Sequence, residues 1–351
     1  MQQRSLLQTT ITKAEEAPEQ TLGYWRADIE QDSLYQTILK SQAFQRLKGV
    51  SFLGALDYAV GSKQMHTGSR AEHSLNVAAL ANFVATRRQY TPELKKHLIV
   101  AGLLHDIGHP PLSHSAEPFI KKHIGYGHHH AGEKILKGQH ELGKVLNKWL
   151  SENTDLPFLI SLIGQNALDI DGGDLFSSPI NIDTIEGITR SHQLFNPASE
   201  PSLSRKRIEI AAASLLPEVN NPWPKLDQFW KMKHQVYNGL ITSNRGLVAD
   251  KLSQLYFQHE NYGLSEQDIF ASERQWKKRY ATLFRGLQSI KSQRLNIKWM
   301  SGEQVTYTSR CYYLEETERG FTRYQYTKNV ATTLLPDFSL SSRQLQFAIV
   351  K

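Results

Sequence analysis

The sequence predicts a mainly α protein, a helical bundle with a small β-rich annex at its C-terminus. Three observations predict it. Between Ser33 and Pro217 apolar residues recur at helical spacing, with short connections between the periodic stretches. Beyond a break marked by Pro217, Pro222 and Pro224, three further long stretches keep that period. From about residue 293 the pattern changes to alternating β-branched and aromatic residues. The chain therefore divides into an N-terminal arm (1–32), a helical core (33–217), a helical extension (218–292) and the annex (293–351).

Residues 1–20 are polar and read as a poorly ordered arm. A first helix opens at Ser33-Leu34-Tyr35 and runs through Phe44, Leu47 and Val50. A second spans Arg70 to Arg88, where Leu75, Val77, Ala79, Leu80, Phe83 and Val84 give a broad apolar face. Thr91-Pro92-Glu93 starts a third with a hydroxyl cap, proline in the first turn and an acid behind it. It carries the apolar run Leu98 to Leu104 into His105-Asp106 and is broken by Gly108, Pro110 and Pro111. Further helices are expected over 113–123, 129–136, 142–150, 158–163, 180–190 and 205–216, then over 226–241, 247–259 and 266–290. In the annex, 304–308, 321–327 and 344–350 read as strands, with Glu318-Arg319-Gly320 as a turn.

The 351 residues are 40% hydrophobic and 21% charged, ordinary values for a folded globular chain. No apolar run of about 18 residues exists, so a bilayer span is not expected. The start, Met1-Gln2-Gln3-Arg4-Ser5, is polar, and a cytoplasmic location is expected. The single Cys311 excludes an internal disulfide and suits a reducing compartment. A net charge of +7 and a pI near 9.2 favour an anionic partner: a nucleotide, a nucleic acid or pyrophosphate, among which charge alone does not choose. Nine of the fourteen histidines lie between His97 and His140, and histidine is the commonest transition-metal ligand.

His105-Asp106, at the mouth of an apolar helix, places an imidazole beside a carboxylate. His73 shares a helix face with Val77 and Leu80 and should point inward; Asp183 opens a later helix. Helices meeting in a bundle core deliver two imidazoles and two carboxylates to one point. Mixed nitrogen and oxygen donors suit a six-coordinate divalent metal: Mn²⁺, Fe²⁺, Co²⁺, Ni²⁺ or Mg²⁺.

Three stretches, Ser41 to Leu47, His66 to Leu75 and His105-Asp106-Ile107-Gly108-His109-Pro110-Pro111-Leu112-Ser113-His114, resemble the HD-domain superfamily. Within it the chain is similar to the deoxynucleoside triphosphate triphosphohydrolases, the bacterial dGTP-hydrolysing enzymes and the animal SAM-and-HD-domain enzyme. The resemblance covers roughly 33–195, weakens to about 260 and does not extend into the annex. It implies an HD-type helical bundle, His73, His105, Asp106 and Asp183 as metal ligands, and a homo-oligomer. It further implies that His114 and Glu117 orient the attacking water and that His129, with His128 or His130 as alternatives in the same run, protonates the leaving sugar oxygen. Arg70 would grip phosphate, His109 would lie near metal and phosphate, and Gln45 would contact the sugar. The expected products are nucleoside and tripolyphosphate.

The pattern departs from that family at Gly187 and Ser191, where the triphosphohydrolases carry a tyrosine and an acid facing sugar or base. Discrimination between deoxy- and ribonucleotides is therefore open. Arg245 and Lys251 are further candidates for phosphate contacts. Two other readings compete: a nucleoside monophosphate phosphatase or cyclic-nucleotide phosphodiesterase of the same superfamily, and a nucleic-acid-binding regulatory protein. The last would use the annex, where Arg310, Arg319, Arg323 and Lys328 alternate with Tyr307, Tyr312, Tyr324 and Tyr326.

Overall fold

The computed structural model describes residues 21–60, 67–164, 167–259, 264–291, 305–313, 324, 330–337 and 346–349. Helices dominate it, beginning with α1 (Leu22–Gln31), α2 (Ser33–Lys40), α3 (Gln42–Leu47) and α4 (Ala55–Val60). The centre is formed by α5 (Arg70–Arg87) and α6 (Pro92–Leu104), followed by α7 (Ser113–Ile124), α8 (His128–Leu136), α9 (Lys144–Asn153) and α10 (Leu156–Ile163). A short α11 (Asp174–Ser177) leads to α12 (Ile182–His192) and α13 (Glu200–Leu215). The extension consists of α14 (Trp223–Val236), α15 (Asn244–His259), α16 (Glu266–Ile269), α17 (Glu273–Arg279) and α18 (Ala281–Lys291).

Helix α5 is the axis of the bundle. From Arg70 to Ala85 every side chain except Glu72 is buried, as expected of a helix packed on all sides. It lies against α1, α3, α6, α12 and α13. Its closest neighbour is α6, because Gly102 faces Ala78: a Cβ at Gly102 would stand 2.7 Å from the Ala78 Cα. The helix ends are fixed by local chemistry. Ser69 and Glu72 form a capping box at α5, Thr91 caps α6 with Pro92 in its first turn, and Asn181 caps α12. The extension is docked on the core, α15 against α4 and α7, α18 against α4, and α14 against α12 and α13.

Several elements differ from expectation. Leu22–Gln31 belongs to the folded body, since α1 buries Trp25 and Ile29 against α5. The helix expected over 33–50 is two, because the Ser41 side chain accepts from the Phe44 amide and restarts the chain as α3. The segment 266–290 is three helices, divided by a capping box at Ser272 and a non-helical Tyr280. Helix α4 carries too short a periodic pattern to be seen in sequence.

A β-rich annex is not supported as a unit. Among the described residues the C-terminal region contributes one antiparallel sheet of three short strands, β1 (Val305–Ser309), β2 (Val330–Asp337) and β3 (Gln346–Ile349), in the order β1-β2-β3. Of the strand expected over 321–327 only Tyr324 is described, and it is helical; the Glu318-Arg319-Gly320 turn lies outside the described residues. Residues 310–313 and Tyr324 instead pack on α14: the Trp230 ring stacks on Tyr324 at 5.3 Å and on Tyr312 at 6.0 Å. The expected arm over 1–20 also lies outside the described residues. Among those described, no helix is long and apolar enough to cross a membrane.

Candidate metal centre and active-site cavity

Four side chains converge at one end of the α5–α6 pair. His73 comes from the first turns of α5, His105 and Asp106 follow the last turn of α6, and Asp183 sits in the first turn of α12. His73 Nε2 lies 3.2 Å from His105 Nε2, 3.0 Å from Asp183 Oδ1 and 3.6 Å from Asp106 Oδ2. His105 Nε2 is 3.6 Å from Asp106 Oδ1 and 3.8 Å from Asp183 Oδ1. His73 is fully buried, whereas the Asp183 side chain is 48% exposed toward a cavity.

The hydrogen bonds on the far sides of the rings decide what this cluster holds. His105 Nδ1 donates to the Gly102 carbonyl at 2.9 Å, and a carbonyl can only accept. His73 Nδ1 donates to the Glu186 carboxylate at 2.6 Å. Each neutral ring therefore presents a bare Nε2 lone pair to the other, across 3.2 Å and beside two carboxylates. Four electron-rich groups facing each other require a positive charge between them. In the metal-free protein a proton serves: burial opposes it, but Asp183 and Glu186 raise the His73 pKa to about 9. His73, His105 and Asp106 form a group that fits a divalent metal ion, and Asp183, 3.0 Å from His73 and 3.8 Å from His105, would complete a set of two imidazole nitrogens and two carboxylates.

Glu186 escaped the sequence reading. It is fully buried, and its carboxylate also receives Asn76 at 3.0 Å and the guanidinium of Arg190 at 2.8 to 3.0 Å, with Arg207 at 3.4 Å. Against the penalty of burial, Arg190 and Arg207 hold it ionised well below the ordinary range. An acid behind a ligating histidine fixes tautomer and orientation. Its spacing, three residues after Asp183 and four before Arg190, was the available signal.

Asp106 is held from outside the cluster. Arg70 donates to its Oδ2 at 2.7 Å and His109 Nε2 lies 3.1 Å from Oδ1. Arg70 also donates to Ser113 Oγ and is buried. In this structure it positions a carboxylate and also lines the cavity described below. Its neighbourhood is tight: Leu112 and Ser113 have φ of 59° and 45°, in the left-handed region, a conformation that non-glycine residues adopt at a cost.

Beyond Asp106 lies a second group. His109 is buried, its Nδ1 has no hydrogen-bond partner, and its ring stacks on His128 at 3.9 Å. Burial and the nearby Arg70 push its pKa well down, so the ring is neutral. Glu117 bridges two further histidines: Oε2 to His114 Nδ1 at 3.3 Å, and Oε1 to His128 Nδ1 at 2.7 Å. His129, singled out in the sequence, is exposed and contacts the His128 ring at 4.0 Å. It lines the cavity beside His128, and of the 128–130 run the histidine hydrogen-bonded to Glu117 is His128.

Both groups open into one cavity of about 740 Å³. Its walls include Phe52, Arg70, His105, Asp106, His109, His114, His128, Asp183, Gly187, Lys233 and Tyr237. Gln45 is not among them. It lies on the exposed face of α3, whose Ala43, Phe44 and Leu47 point inward, and it lines a separate cavity with Lys48 and Tyr58. The residue from this region that reaches the metal cluster is Phe52, 4.7 Å from the His73 ring. Neither Arg245 nor Lys251 lines the cavity. Gly187 does, and a Cβ there would meet Phe52 at 3.2 Å, while Ser191 turns its hydroxyl back to the Gly187 carbonyl.

Residues 70–164 match the family model described as HD domain. An uncharacterized protein of Mycoplasma genitalium is 35% identical over 251 residues, 66% of this chain and 57% of that protein. A protein named deoxynucleoside triphosphate triphosphohydrolase SAMHD1 homolog, from Dictyostelium discoideum, is 29% identical over 140 residues, covering 36% and 25% of the two chains. A deoxyguanosinetriphosphate triphosphohydrolase-like protein of Caldanaerobacter subterraneus is 27% identical over 124 residues, 35% of this chain and 34% of its own. The chain spans between 24% and 57% of the length of the curated relatives it matches. The crystal structure of a hypothetical protein from Aquifex aeolicus shares the fold, with a TM-score of 0.55 at 17% identity over 79% of this chain and 74% of that one. With its His73, His105-Asp106 and Asp183 cluster built on the matched segment and the helix packed beside it, the chain carries an HD domain over residues 70–164.

Proposed function

We propose that this chain is a metal-dependent phosphohydrolase that converts (deoxy)nucleoside triphosphates to nucleoside and tripolyphosphate by attack of water at the α-phosphorus. The observation that carries the reading is the opening of two groups into one cavity: the four-donor cluster, and a pair of histidines sharing one buried acid. The relatives named as triphosphohydrolases support the choice of substrate class. A divalent cation held by His73, His105, Asp106 and Asp183 supplies Lewis-acid polarisation of a phosphoryl oxygen and a template for the phosphate.

The remaining chemistry belongs to the chain's own groups. Glu117, opposed by burial but held ionised by His114 and His128, lies far below the ordinary carboxylate range. It fixes both rings with Nδ1–H toward itself and Nε2 toward the cavity. His114 at the open end takes a proton from the attacking water. His128, protonated, returns one to the departing 5′ oxygen as the P–O5′ bond breaks, so charge stays balanced across the shared acid. We assign the acid to His128 rather than His129 on the strength of the Glu117 contact.

The competing readings separate by product. A phosphatase releases orthophosphate and a phosphodiesterase opens a cyclic ester; only the proposed reaction releases tripolyphosphate. The nucleic-acid reading loses two of its stacking rings, since Tyr312 and Tyr324 are buried against Trp230. Arg319, Arg323, Tyr326 and Lys328 lie outside the described residues. The test is metal analysis of purified protein, then a Mn²⁺-supplemented nucleotide screen with chromatography of the phosphate products. Tripolyphosphate from wild type, and neither metal nor turnover in Asp106→Ala, is the expected result; full turnover in that variant overturns the mechanism.

A further inference from the structure

The cavity wall holds two strong cations, and they are used differently. Arg70 is spent on Asp106. Lys233, on α14, lines the same cavity next to Asp183, Gly187 and Tyr237 and makes no ion pair among the described residues. Its Nζ sits 4.9 Å from the Trp230 ring centroid and 5.0 Å from that of Tyr312. Those rings lie within 23° of parallel, and Trp230 is backed by Tyr324. An ammonium over electron-rich faces is held in place without being neutralised. The Arg310 guanidinium is close by, 5.8 Å over the Tyr237 ring. Burial and that like charge pull the Lys233 pKa down to about 8. Asp183 offsets part of the cost of setting two cations together, and an anion in the cavity removes more of it.

We propose that Lys233 is the anion clamp of this cavity, binding the non-reacting phosphates of the substrate's polyphosphate chain. The assignment rests on the triphosphohydrolase reading and names the residue that would give it a preference for polyphosphates. It also follows the layout of the walls. The histidines proposed to act on the reacting phosphorus and the leaving oxygen come from α7 and α8, so the departing 5′ oxygen lies on their side. The β- and γ-phosphates then extend toward α14, where Lys233 waits beside Tyr237. A π-helical turn over Tyr237–Ile241 directly follows, a distortion that recurs at functional sites. The C-terminal residues 310–313 and 324 acquire a role as well: they build the aromatic seat.

The probe is inorganic tripolyphosphate, which carries the chemistry of the proposed product without a nucleoside. Its binding to the metal-loaded full chain is measured by calorimetry at low ionic strength for wild type, Lys233→Met and Lys233→Arg. A charge-assisted contact of this kind corresponds to about ten- to hundredfold in affinity. Lys233→Met is expected to lose that much while keeping wild-type metal content, Lys233→Arg to recover most of it, and orthophosphate, too short to span both sites, to change far less. With nucleoside triphosphate the loss should appear in KM more than in kcat. Equal tripolyphosphate affinity in wild type and a metal-replete Lys233→Met protein overturns the proposal. Should wild type hydrolyse only monophosphate esters, the triphosphohydrolase reading fails, and the calorimetry still decides whether Lys233 binds polyphosphate.

Discussion

The Nδ1 of His73 donates to Glu186 at 2.6 Å, so a fully buried acid from α12 sets the tautomer of a histidine of the candidate metal cluster on α5. That acid is held by Arg190 and Arg207, which makes the metal cluster part of a buried charge network rather than a patch on its surface. In Glu186→Gln the amide oxygen can still accept from His73, but the negative charge is gone. Metal affinity is expected to fall about 10- to 100-fold. Arg190, left without its principal countercharge while Arg207 keeps Glu200, should destabilise the fold by about 3–5 kcal/mol. Chelator competition and urea denaturation measure the two effects; wild-type values in both would show that Glu186 is incidental.

Metal uptake should depend on pH in a definite direction. The His73 pKa is raised from its ordinary 6.5 to about 9 in the metal-free protein. Protonated His73 therefore stabilises the metal-free fold fully below about pH 6.5, and that contribution disappears as pH climbs through 9. The metal needs the neutral ring and competes with this proton. Affinity should accordingly rise between pH 6.5 and 9 and level off above, with a proton released on binding. Calorimetry in buffers of different ionisation enthalpy reads that proton directly, and an affinity independent of pH across the window would exclude His73 as a ligand.

Glu117 offers a cleaner separation of chemistry from binding, because it touches both histidines of the relay and none of the four metal donors. Glu117→Gln should leave metal content intact and lower kcat by about 10²- to 10⁴-fold, the usual range for losing general acid–base assistance. A kcat within threefold of wild type, with metal bound, would remove Glu117 from the mechanism.

What the sequence disclosed and what it withheld follow one physical division. The convergence of His73, His105, Asp106 and Asp183 was legible because each sits at a helix end or on an apolar face, where periodicity reveals which way a side chain points. His114 and Glu117 were legible through their spacing within one helix. Gln45 was misplaced because three apolar neighbours on α3 decide its outward direction, and only the packing shows which face they fill. The choice of His128 over His129 turns on Glu117, eleven residues away, and no local pattern reports that contact. Lys233 was invisible for the same reason: its meaning comes from Trp230, Tyr312 and Asp183, which the chain brings together only in three dimensions. Breaks at Ser41 and Ser272 were missed because a serine cap overrode a continuous apolar period.

Gly108 tests whether the helix carrying His128 is positioned by backbone contact alone. It follows Ile107 in the turn after the metal pair, and a Cβ there would stand 2.1 Å from the His128 carbonyl oxygen and 2.2 Å from the Gly132 amide nitrogen. Both are backbone atoms of α8, so no side-chain rotation relieves the clash; α8 itself must retreat. Gly108→Ala is expected to cost about 1–3 kcal/mol of stability through overpacking. It should also draw His128 away from Glu117 and lower kcat at least tenfold, since small misplacements of a catalytic group are expensive. Metal content at the His73 cluster should be preserved, because His73 and Asp183 come from α5 and α12 and His105 and Asp106 follow α6. Gly23→Ala in α1, where a Cβ meets nothing within 4 Å, is the matched control, with an expected gain of about 0.5–1 kcal/mol from helix propensity. Were Gly108→Ala to keep full turnover, the α8 backbone would have room to move that the packing denies it, and the position of His128 would not be what limits the reaction.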